Sequence, residues 1–131
     1  MQDAHREVRH RHRFVAEPLA TQAAARTLEL LVADIGVDLV QRVQLLVTEL
    51  IANAVTHAGM GGLGFVGLDV SITAGRVRVV VTDTGAGLEP GAGPIDPTVF
   101  QGRGLELLEQ VSDRWGVLSR GRNRVWFEID R

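Results

Sequence analysis

Apolar positions change period along the chain, and the changes mark the elements. Arg11 to Ala16 reads as an edge strand after a polar leader rich in Arg and His. Glu17-Pro18 reads as a helix start, with Leu19, Ala23, Leu28, Leu31 and Val32 as its buried stripe and Gly36 as its end. Asp38 is the expected N-cap of a second helix running to about Ala58. Its apolar residues, from Leu39 and Val43 through Leu46, Val47, Leu50, Ile51, Ala54 and Val55, recur at three- and four-residue intervals, so one face is core. Glu49, Asn53 and His57 are spaced four apart and form a separate stripe beside it.

After the glycine-rich loop 59–64, two strands are expected, Phe65 to Thr73 and Arg76 to Thr82, joined by a tight Ala74-Gly75 turn. Thr84 to Arg103 holds five glycines and three prolines with little periodicity, which suits a mobile lid better than a simple connection. Leu105 to Val111 reads as a short helix, and Trp115 to Arg120 with Val125 to Ile129 as a last hairpin through Gly121. These elements predict an α+β two-layer sandwich, with a mixed, mostly antiparallel sheet carrying its helices on one face. The expected organisation is a leader over 1–10 and a single domain over 11–131 with its lid at 84–103.

Composition narrows the function classes. Hydrophobic residues make up 45% and charged residues 23% of the 131, as in an ordinary globular domain. No apolar run is long enough to span a bilayer, and the N-terminus lacks an apolar signal core, so a cytoplasmic protein with no membrane partner is expected. With no cysteine, disulfides, thiolate metal sites and cysteine nucleophiles are excluded. The net charge of −2 gives no reason to expect direct nucleic-acid binding, although all fourteen basic residues are arginine.

Three short motifs carry the candidate chemistry. Asp83 closes a strand immediately before Gly85 and Gly87; an aspartate there can accept a hydrogen bond from an exocyclic amine such as adenine's, and the glycines let the chain pass close to a ligand. Gly102 and Gly104 precede a helix whose free N–H groups favour phosphate, and Arg103 between them is a candidate phosphate contact. Asn53 offers a carbonyl oxygen suited to Mg²⁺, and Glu49, one turn earlier, could polarise a hydroxyl or a water for attack on a γ-phosphate. Each motif alone is ambiguous, since an Asp-x-Gly-x-Gly stretch is more often a turn; their joint occurrence in this order points to a nucleotide site. His57, Trp115 and Trp126 are assigned to packing or backbone contacts rather than to catalysis.

These residues resemble the motifs of the Bergerat-fold (GHKL-type) ATP-binding superfamily. Within it, the chain is similar to the small anti-sigma-factor serine/threonine-protein kinases. Thr48-Glu49-Leu50-Ile51-Ala52-Asn53 through Ala58 resembles that branch's N box; Val81 to Gly87 and Gly102 to Leu105 resemble its two glycine boxes. Asp113-Arg114-Trp115-Gly116 and Val125-Trp126-Phe127-Glu128 look like actinobacterial members in particular. The resemblance covers roughly 10 to 131 and implies a complete, stand-alone domain. It implies ATP and Mg²⁺, with Glu49 as activating base, Asn53 as metal ligand, Asp83 reading the adenine amine, Gly85 and Gly87 shaping the pocket, and Gly102, Arg103 and Gly104 closing over the phosphates. It also implies two partners, a sigma factor and an anti-anti-sigma protein of the STAS type that accepts the phosphoryl group, and a homodimer.

One departure stands out. The superfamily usually carries a Gly-Thr pair before the last strand, where this chain has Gly121-Arg122-Asn123-Arg124. Either Asn123 supplies the missing hydrogen bond or the adenine contact is weaker. The competing readings are a catalytically silent nucleotide-gated binding module, which has no need of Glu49, and a detached sensor-kinase domain, for which no phosphoacceptor helix pair is legible. DNA binding ranks last, for want of a basic recognition helix.

Overall fold

The computed structural model describes residues 7–58, 64–83, 104–118 and 123–131. Among these residues, five strands and four helices follow in the order β1 (Val8–Val15), α1 (Ala20–Glu29), α2 (Val32–Ile35), α3 (Val37–Ala58), β2 (Phe65–Ile72), β3 (Arg76–Asp83), α4 (Gly104–Val111), β4 (Arg114–Leu118) and β5 (Asn123–Asp130). The strands form one sheet in the order β1-β2-β3-β5-β4, and every pairing is antiparallel. The expected two-layer α+β architecture is therefore present, with a sheet that is antiparallel throughout the described residues rather than mixed.

Alternation decides which face of the sheet meets the helices. Val66, Leu68, Val70 and Ile72 of β2, Val77, Val79 and Val81 of β3, and Val125, Phe127 and Ile129 of β5 are all buried. They pack in one cluster with Val43, Leu46, Val47, Leu50 and Ile51 of α3 and Leu108 of α4. Each such side chain contributes about 1.5–3 kcal/mol on leaving water, so this contact dominates the fold. Gln44 Nε2 donates to the Ala25 carbonyl at 2.8 Å and Arg42 Nη2 to the Val111 carbonyl at 3.0 Å, tying α3 to α1 and to the end of α4.

Three sequence expectations shift. β1 begins at Val8, inside the expected leader, because Val8, His10, His12 and Phe14 alternate toward the helix side while Arg9, Arg11 and Arg13 point outward. The α1 stripe is Ala20, Ala24 and Leu28; Leu19 precedes the helix and is 61% exposed, and Ala23 is exposed too. Starting the helix at Ala20 moves the buried phase by one residue, a move the alanine-rich sequence tolerates. The helix also breaks at Leu30-Leu31, whose N–H groups turn to the carbonyls of Thr27 and Leu28. Gly36, at φ 85°, redirects the chain and its carbonyl accepts the Val40 N–H, so Gly36 precedes α3 where Asp38 was expected to cap it; Asp38 sits in the first turn.

Among the described residues no helix packs on the outer face of the sheet, and its β4–β5 half is ionic. Glu128 is buried and receives Arg114 Nε at 2.7 Å, Arg78 Nη1 at 2.9 Å and Arg76 Nη1 at 3.3 Å; Arg114 also pairs with Asp130. Beside this cluster the Arg78 guanidinium lies over the Trp126 ring, and that ring covers Gly116, where a Cβ would fall 2.6 Å from the indole nitrogen. Both tryptophans therefore pack, as expected: the Trp115 indole donates to Glu109 at 2.9 Å. The Arg114 hydrogen bond holds the Glu128 carboxyl below the usual glutamate range, against desolvation, with Arg78 assisting.

A carboxyl with a lowered native pKa stabilises the fold above its unfolded pKa and loses that contribution as pH falls. Glu128→Gln should thus destabilise the protein at neutral pH by about 1–2 kcal/mol, less than for a fully buried pair because the arginines are half in solvent. The gap between the variant and the native chain, measured by urea unfolding, should narrow as pH drops from about 5 to about 2. A gap that stays constant with pH would show that the charge of Glu128 is not what matters.

Candidate functional site

The burial of α3 fixes the orientation of the candidate residues. With Leu46, Leu50 and Ile51 turned fully into the core, Glu49 and Asn53 fall beside that stripe, one turn apart and each half-buried. The Asn53 amide nitrogen is buried and meets no hydrogen-bond partner. A buried, unpaired amide N–H costs stability and calls for a partner, such as a water, an ion or a ligand. Whichever of its two atoms turns inward, Asn53 has hydrogen-bonding or ligating capacity that the fold leaves unused.

Topology brings the described ends of the other motifs, Asp83 and Gly104, to the same end of the molecule. Asp83 is the last residue of β3, paired across the sheet with Val66 on one side and Asn123 on the other. Val66 lies at the start of β2, the strand that follows the C-terminal end of α3 after 59–64. Asn123, at the position of the missing Gly-Thr pair, is thus a direct sheet neighbour of Asp83. β3 ends at Asp83, and the next described residue, Gly104, is the first of α4, which packs on α3. Gly85, Gly87, Gly102, Arg103 and the expected lid over 84–103 lie outside the described residues.

A carboxylate and a carboxamide on adjacent turns of a half-buried stripe can together accept a proton and hold a hard cation. Sequence reasoning placed these two residues on one stripe beside the core face, as they are in the structure. It missed the outer face, where arginines at alternate positions of β1 and β3 were the available signal.

Comparison with known proteins agrees with this fold. The chain belongs to the histidine kinase-like ATPase domain family, which it matches over residues 8–129. It is 39% identical over 79 residues to SCO4941, an uncharacterized protein of Streptomyces coelicolor, an alignment covering 60% of this chain and 74% of that one. Its fold matches the crystal structure of the RsbU and RsbW domains of Rv1364c from Mycobacterium tuberculosis with a TM-score of 0.70, at 18% identity over 95% of this chain; the chain spans 33% of that protein's length. Among the described residues no helix is long and apolar enough to cross a membrane.

If Asn53 is kept for a ligand rather than for the fold, replacing it should strengthen the free protein. Asn53→Leu should raise stability by about 0.5–1.5 kcal/mol in thermal unfolding without nucleotide, because an unpaired amide gives way to an apolar group. A lowered unfolding midpoint would mean that Asn53 serves the fold.

Proposed function

We propose that the chain is an ATP-dependent serine/threonine-protein kinase that also acts as an anti-sigma factor, phosphorylating a STAS-type partner and sequestering a sigma factor, in the cytoplasm and as a homodimer. Family membership supports ATP use. The observation that carries the kinase reading is the pairing of half-buried Glu49 with the unpartnered Asn53 amide one turn on. The sequence resemblance to anti-sigma-factor kinases supplies the partner classes.

The residues fit the group that the family implies. Asn53 would hold Mg²⁺ through its carboxamide oxygen, an ion that takes few protein ligands and keeps its waters. Bound there, the ion would neutralise charge on the β- and γ-phosphates. Asp83, at the strand end, would accept a hydrogen bond from the adenine amine, with Gly85 and Gly87 leaving room for the base, and Gly102, Arg103 and Gly104 would close over the phosphates. Glu49 would take the proton of the attacking serine or threonine hydroxyl as its oxygen bonds the γ-phosphorus and the bond to the leaving ADP oxygen breaks.

Transfer of label from γ-labelled ATP to candidate STAS proteins tests this directly. Glu49→Ala should cut transfer by about a hundredfold or more while leaving ATP affinity within about twofold, the signature of a base that acts in the transition state. Asn53→Ala should weaken Mg-ATP binding itself. Absence of transfer to every candidate, with tight ATP binding and with partner release unchanged in Glu49→Ala, would instead establish the nucleotide-gated binding module.

A further inference from the structure

The sheet carries an arginine-rich surface on the side away from α3. On its outer face, β1, β2, β3 and β5 enclose a depression of about 740 Å³, lined chiefly by Arg9, Arg11, Arg13, Arg78 and Arg124 around Asp69. Five guanidinium groups share this concavity with one carboxylate, in a chain whose net charge is −2. Such concentration of one sign on one face is unfavourable for the folded state by itself, and complementary charge on a partner offsets it.

We propose that this groove docks an acidic, extended segment of a partner protein. The spacing suits one: Arg9, Arg11 and Arg13 alternate along β1, about 6.6 Å apart on one face, the repeat at which alternate side chains of an extended chain present carboxylates. Arg11 Nε lies 2.9 Å from Asp69 Oδ1, an ion-pair contact that does not make a directed hydrogen bond. Arg78 is held by Glu128, while Arg9 and Arg124 have no acidic partner among the described residues.

Two other occupants fit less well. Single-stranded nucleic acid carries charge at a similar spacing but depends on free aromatic faces; here Arg78 covers Trp126 and Arg13 lies over Phe65, 5.2 Å from its ring centre. Among the described residues, a second copy of the chain docking through the same face would bring no free carboxylate. Asp69 faces Arg11, Glu128 binds three arginines and Asp130 pairs with Arg114, so arginine would meet arginine. The groove is independent of the nucleotide reading, because it lies on the opposite face of the sheet from α3.

Fluorescence anisotropy with a labelled peptide of alternating glutamate and serine, and with an oligothymidylate of equal charge, tests the assignment on the full chain. The peptide should bind more tightly than the oligonucleotide, and binding should weaken steeply between about 0.05 and 0.5 M salt. Arg9→Glu combined with Arg124→Glu should weaken the peptide by about tenfold or more, while a Lys pair at the same positions preserves binding and both variants melt with the native protein. Unchanged peptide affinity in the charge-reversed variant would overturn the proposal, as would no peptide binding at low salt. Preference for the oligonucleotide, or a native dimer that the reversal dissociates, would do the same.

Discussion

The burial of one stripe of α3 against the sheet is the constraint on which the rest depends. Val43, Leu46, Val47, Leu50 and Ile51 are almost completely removed from solvent, and the inner residues of β2, β3 and β5 close the other side of the same cluster. A helix held by that many side chains cannot rotate without exposing several of them, at about 1.5–3 kcal/mol each. The rotational setting of Glu49 and Asn53 is therefore inherited from the core. Their half-buried position is a consequence of packing beside them, and there the Asn53 amide nitrogen meets no hydrogen-bond partner.

The two faces of the sheet are organised by different forces. Toward the helices the alternation is apolar from Val66 to Ile72, from Val77 to Val81 and from Val125 to Ile129, and the next positions of that register are Asp83 and Asn123. Away from the helices it is ionic, with Glu128 gathering Arg76, Arg78 and Arg114, and Trp126 lying between Arg78 and Gly116. The segments Asp113-Arg114-Trp115-Gly116 and Val125-Trp126-Phe127-Glu128 thereby gain a structural meaning. Asp113 accepts the Asp130 N–H at 2.7 Å, Arg114 reaches Glu128, Trp115 binds Glu109, and Gly116 admits the Trp126 ring. The Trp115 bond ties β4 to α4, and the other contacts hold β4 to β5 at the edge of the sheet, where among the described residues no helix covers the outer side.

Much of this was legible in the sequence, and the failures have physical causes. α3 was readable because its branched and leucine side chains leave one possible phase, and the β2–β3 hairpin because strand alternation is strict on both sides of Ala74-Gly75. α1 was misphased because alanines at 20, 23, 24 and 25 make neighbouring stripes nearly equal in apolarity, so that tertiary contact decided. Glu49 and Asn53 were visible through local spacing on one helix. The arginine groove was not, because it assembles side chains from four strands, and no pattern within one strand discloses which strands are neighbours.

The most direct test of the central claim is an amide NMR titration of the isotopically labelled chain with Mg-ATP, since it reports which face of the sheet the nucleotide meets. If the fold sets Glu49 and Asn53 toward a nucleotide, the perturbed amides should cluster on α3 from Glu49 to Val55 and at the Thr82-Asp83 end of β3, leaving Val8 to Arg13 unmoved. Shifts centred on the arginines of β1, or none at saturating nucleotide, would contradict it.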